Sequence, residues 1–116
     1  MIAQQCQVVL FKPQGSIDLQ GGEALAEQMA NINPTPDQLW VIDLAEVELM
    51  DSSGLVCLVK GLKLARQSGC RLVICNCSAC VRLILELTQL DSVFETFNTY
   101  EDILVNINHN SLAIPN

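Results

Sequence analysis

A chain of 116 residues, half of them apolar and only 16% charged, has room for one hydrophobic core and is too apolar to stay disordered. Thirteen acidic against six basic side chains give a net charge of −7, so nucleic acid and an anionic membrane surface are excluded as expected partners. No apolar run nears the ~20 residues that span a bilayer, and six cysteines behind a start, MIAQQCQVVLF, without a secretory pattern predict free thiols in the cytoplasm.

Residues 6–11, CQVVLF, form a short apolar run that suits a strand. Lys12-Pro13-Gln14-Gly15 is turn chemistry, and Ser16-Ile17-Asp18 reads as a short second strand. Pairing across so tight a turn would make the first strand antiparallel. From Gly22 onward, Glu23 to Met29 are strong helix formers, with Leu25 and Met29 four apart on one face. Asn31 to Pro36 ends that helix, and Leu39-Trp40-Val41-Ile42 predicts a strand buried on both sides.

After Asp51-Ser52-Ser53-Gly54, the stripe Leu55, Leu58, Val59, Leu62 predicts a second helix, with Gly69 as its stop. Leu72 to Cys75 predicts another buried strand, and Ser78 a cap for a third helix carrying Val81, Ile84 and Leu85. Val93, Phe94 and Phe97 mark a short strand region, and Tyr100 to Asn108 a last helix. Residues 109–116 read as a frayed tail. The expectation is one α/β domain over 1–116, with its core at about 6–107 and a tail at 108–116. Its mixed sheet has about five strands, the first antiparallel and the rest parallel, packed by about four helices.

The informative stretch is VIDLAEVELMDSSGL, Val41 to Leu55. A buried strand leads to a turn where a helix begins at the serines, and a helix N-terminus tolerates an added phosphate. On the tetrapeptide alone, the plainer reading is that Asp51 or Ser52 caps the helix. Gly54 removes a side chain beside the hydroxyl, which would let a kinase approach closely. The whole stretch resembles the signature of STAS domains of the anti-sigma-factor antagonist type, in which an apolar strand and a Met-Asp-Ser-Ser-Gly-Leu turn precede a helix. Gly15-Ser16-Ile17-Asp18 is similar to the family's Gly-Glu-Leu/Ile-Asp element, with Ser16 in place of the acid. Ser78 to Leu90 is similar to its Ser-Pro-x-Val…Leu helix, with Ala79 in place of proline.

That resemblance implies a STAS-like fold and a phosphoacceptor at Ser52, with Asp18 lying close to it. It further implies a partner-binding surface of Asp18, Asp51, Ser53 and Gly54. The partners it implies are an anti-sigma factor that is also a serine kinase, and a serine phosphatase. No cofactor, nucleic acid or direct membrane insertion is expected. A STAS regulator or subunit of a membrane transporter is the alternative role.

Two further classes fare worse. Cys70, Cys75, Cys77 and Cys80 crowd together, but CxCxxC lacks the paired spacing of a zinc site, and Cys75 should point into the core. The single histidine, His109, leaves almost no material for Ser-His-Asp or Cys-His catalysis, and no nucleotide-binding glycine motif occurs. An enzyme is not expected.

Overall fold

The uninterrupted apolar runs become the middle of a parallel sheet. The computed structural model describes residues 6–113. Its elements in chain order are β1 (Gln7–Phe11), β2 (Gly15–Ile17), α1 (Leu19–Ile32), β3 (Gln38–Asp43) and β4 (Val47–Met50). There follow α2 (Ser52–Gln67), β5 (Arg71–Cys75), α3 (Ala79–Leu87), a single 3₁₀ turn (Leu90–Ser92), β6 (Glu95–Phe97) and α4 (Tyr100–Ala113). Four strands make one sheet in the order β1-β3-β5-β6, and β2 and β4 make a separate two-stranded ribbon.

Every pairing is parallel, and this corrects the expectation for the first strand. β1 lies beside β3 in register Val9↔Trp40, and β2 does not fold back onto it. Pro13 brings no N–H to a hairpin ladder, and Gly15, at φ +80, turns the chain away. β2 pairs with β4 instead, Ile17 opposite Met50, its start held by the Gly15 N–H donating to Glu46 O at 2.9 Å. Lys12 and Glu46 add an exposed ion pair at 3.6 Å. A sheet of four and a ribbon of two therefore replace the single mixed sheet of about five.

Strand alternation divides the core. Trp40, Ile42, Leu72 and Ile74 face one way, against Leu25 and Met29 of α1, Leu58 and Leu62 of α2, and Val81 and Leu85 of α3. Leu39, Val41, Val73 and Cys75 face the other way, against Ile103 of α4. Trp40 is fully buried with Phe11 edge-on at 5.2 Å, and its indole N–H donates to Gln38 Oε1 at 3.0 Å, so its one polar atom is satisfied.

Small residues let α1 and α2 approach closely. A Cβ on Gly22 would come within 2.8 Å of Cys57 Cβ, and one on Gly61 would overlap the Met29 sulfur. α2 ends as expected at Gly69, φ +72, whose N–H donates to Arg66 O while that of Cys70 donates to Ala65 O. α4 departs from expectation: residues 109–113 of the expected tail are helical. The remainder of that tail, 114–116, lies outside the described residues.

Candidate phosphorylation and protein-binding site

Because β2 and β4 are parallel and Ile17 sits opposite Met50, both strands stop at the same level. The next residue in each case is an aspartate, and each aspartate opens a helix. Asp18 is extended, at φ −98 and ψ −163, and its Oδ1 accepts from the Gly21 N–H at 2.8 Å. Asp51, at φ −109 and ψ −178, accepts from the Gly54 N–H at 2.9 Å in the same way. The Asp51 N–H donates to Ile17 O at 3.3 Å and ties the two turns together. Two helix N-termini thus open side by side, each with a carboxylate on its positive end.

The cap of α2 is therefore Asp51, which frees the serines from that task. Ser52 is the first helical residue and Ser53 the second; both are exposed. Neither hydroxyl makes a hydrogen bond among the described residues. Helix geometry also leaves their backbone N–H groups without carbonyl partners inside the helix.

Gly54 corrects one expectation. It is buried, and a Cβ there would overlap the carbonyl oxygen of Ile17 and stop 2.8 Å from Ile17 Cγ2. The missing side chain makes room for the β2 backbone, so it opens nothing toward an incoming protein, and Gly54 is not a surface contact. Leu55 behind it is buried and anchors the turn to the core.

The structure brings Asp18, Asp51, Ser52 and Ser53 to one pole, and it adds apolar residues that the sequence did not reveal. Leu19 directly follows Asp18, Leu49 lies opposite Ser16 on the ribbon, and Val56 is one turn along α2 from Ser52. Each is more than half exposed. Glu48, next to Leu49 on β4, is exposed as well. Leu49 belongs to β4, a strand that the sequence analysis does not predict. Its alternation, Val-Glu-Leu-Met, is only four residues long.

Cys70 and Cys75 are buried, Cys77 half-buried and Cys80 exposed. Burial, with the Asp43 carboxylate behind it, pushes the Cys75 thiol up to about 12, and burial also raises Cys77. Among the described residues, no group of three or more His, Cys, Asp or Glu side chains is placed to hold a metal ion.

Comparison with known proteins adds a family match and three similar structures to this geometry. The STAS domain family model matches residues 1–103. An anti-sigma factor antagonist from Mycobacterium paratuberculosis is similar at 28% identity and TM-score 0.69, over 87% of this chain and 86% of that one. The STAS domain of a SulP transporter from Vibrio cholerae matches at 18% identity and TM-score 0.75, over 93% and 86%. The anti-sigma factor antagonist SpoIIAA in its unphosphorylated form matches at 16% and 0.70, over 100% and 96%. These last two likenesses establish the fold alone, and the STAS-like α/β architecture is the one expected.

Proposed function

The chain belongs to the STAS domain family, and from that premise we propose that it is a protein-binding switch controlled by phosphorylation of Ser52. Unmodified, it binds an anti-sigma factor that is also a serine kinase; phosphorylated, it lets that partner go. A serine phosphatase resets the cycle. The chain is not itself an enzyme, and it works in the cytoplasm. No helix among the described residues is long and apolar enough to cross a membrane.

One observation carries this reading: Ser52 is exposed at the start of α2, its hydroxyl makes no hydrogen bond among the described residues, and its helix opens beside the one that Asp18 caps. A phosphate there adds about −1.5 to −2 charges. In the free protein the helix N-terminus tolerates it, so no refolding is needed. Against a docked partner the new anion must be buried unpaired. That costs several kcal/mol. A penalty of ~3–4 kcal/mol weakens binding a few hundred-fold, at about 1.4 kcal/mol per decade. Asp18, Asp51 and Ser53 are the partner contacts, and Gly54 holds the turn in place. Support comes from the 28%-identical structure, described as an anti-sigma factor antagonist, and from the SpoIIAA structure, described as unphosphorylated.

Affinity for an anti-sigma kinase tests the mechanism. Ser52→Ala keeps tight binding under phosphorylating conditions, and Ser52→Asp weakens it; equal affinity for wild type and both variants overturns the proposal. The likeness to the SulP STAS domain favours a second reading, a transporter regulator or subunit. Capture of transporter components in a pull-down, with no kinase-like partner, decides for that reading.

A further inference from the structure

Among the described residues, Asp43 is the one charged side chain that the fold buries, and the switch proposed above makes no use of it. It is the last residue of β3, where the chain leaves the main sheet for the ribbon. Among the described residues it has no ion-pair partner. A carboxylate withdrawn from water without a cation must be held by hydrogen-bond donors, and Asp43 Oδ1 accepts from two. The Ala45 N–H donates to it at 3.0 Å, and so does the Asn76 side-chain amide, also at 3.0 Å.

The two bonds do different things. The first is local: with the Val47 N–H donating to Leu44 O at 3.1 Å, it shapes the short step from β3 to β4. The second reaches across to the loop between β5 and α3. An ionised carboxylate only accepts, so Asn76 turns its amide nitrogen toward Asp43. Asn76 has φ +59, a left-handed backbone that non-glycine residues seldom adopt. In that conformation its backbone N–H reaches Asn98 O at 3.2 Å while its side chain reaches Asp43. The Leu44 N–H, donating to Cys75 O at 3.0 Å, closes the main-chain contact beside them.

Both tied points lead toward the Ser52 turn. Beyond Asp43 the chain enters β4, whose last residue, Met50, directly precedes the Asp51 cap. Beyond Asn76, Ser78 caps α3, and Val81 and Leu85 of that helix share one core cluster with Val47 and Met50 of β4. Among the described residues no strand pairing joins the ribbon to the main sheet, so packing and side-chain bonds set one against the other. We propose that Asp43 and Asn76 form a latch that holds β4 and α3 in place against the main sheet and so positions Ser52 for its partner. The partner's part in this rests on the function proposed above; the latch itself does not.

Hydrogen bonds to a charged group are among the stronger ones, and losing this one leaves a buried carboxylate with one donor fewer. The ladders of β1, β3 and β5 do not depend on it. Glycine is the clean replacement for Asn76, because it takes a positive φ without strain and removes only the amide. Swapping the two residues, Asp43→Asn with Asn76→Asp, keeps one amide and one carboxylate face to face. Asn76→Asp alone sets two carboxylates together.

Backbone amide NMR spectra of the whole chain, taken where circular dichroism shows every variant fully folded, test this together with the rate of Ser52 modification by an anti-sigma kinase. In Asn76→Gly and in Asn76→Asp the signals of Val47 to Ser53 shift or broaden, although the substitution is far from them in the sequence. The modification rate falls by about tenfold, the factor equivalent to one hydrogen bond to a charged group. The swapped pair restores both signals and rate. Shifts confined to residues 43–45 and 75–78 overturn the proposal. So does a wild-type rate in both single variants, or a swapped pair that behaves no better than Asn76→Asp. A wild-type chain that no such kinase modifies refutes the switch instead, and the spectra then decide the latch alone.

Discussion

The first turns of α1 and α2 are built alike and differ in two residues. Each follows a strand of the same ribbon, each has an aspartate as cap, and each aspartate accepts from the N–H of a glycine three residues on. Between cap and glycine, α1 has Leu19-Gln20 and α2 has Ser52-Ser53. The fold asks only for the aspartate and the glycine. The serine hydroxyls make no hydrogen bond among the described residues, which is what the proposed modification of Ser52 requires.

The comparison breaks most visibly at the glycines. Gly54→Ala drives a methyl into the Ile17 carbonyl in a buried position, and about 3 kcal/mol or more should be lost in a urea melt. Gly21→Ala meets the Ser16 carbonyl in a half-open site, and should cost about 1 kcal/mol less. Next come the caps. Asp18→Ala and Asp51→Ala should each lose about 1 kcal/mol, and similar values for the two would confirm that the turns are equivalent. The smallest effect belongs to the serine. Ser52→Ala should stay within about 0.5 kcal/mol of wild type; a loss as large as that from Asp51→Ala would mean that the hydroxyl supports the fold after all.

How much of this was legible in the sequence depends on the distance over which each feature is decided. β3 and β5 are continuous branched runs, and the α2 stripe, the Gly69 stop and the Ser78 cap are local signals; all were readable. The direction of β1 was not, because a strand thirty residues onward supplies its partner. The separate ribbon was missed for the same reason, since β4 has too few residues to show its period. At the site, the turn was found through resemblance to a family, and Asp18 was placed near it the same way. The role of Gly54 was misread because the atom it makes room for, the Ile17 carbonyl, belongs to another strand. The exposed Leu19, Leu49 and Val56 look like core residues until the surface is built. Hydrophobic pattern reports what is buried, and these exposed apolar residues break that rule.

Mass spectrometry of the protein taken from its native cells, with the modified residue located by fragmentation, tests the central claim most directly. The account predicts phosphate on Ser52, and its loss in Ser52→Ala with Ser53 still present. An unmodified Ser52 under every growth condition, or phosphate that stays on the chain when Ser52 is replaced, would contradict it.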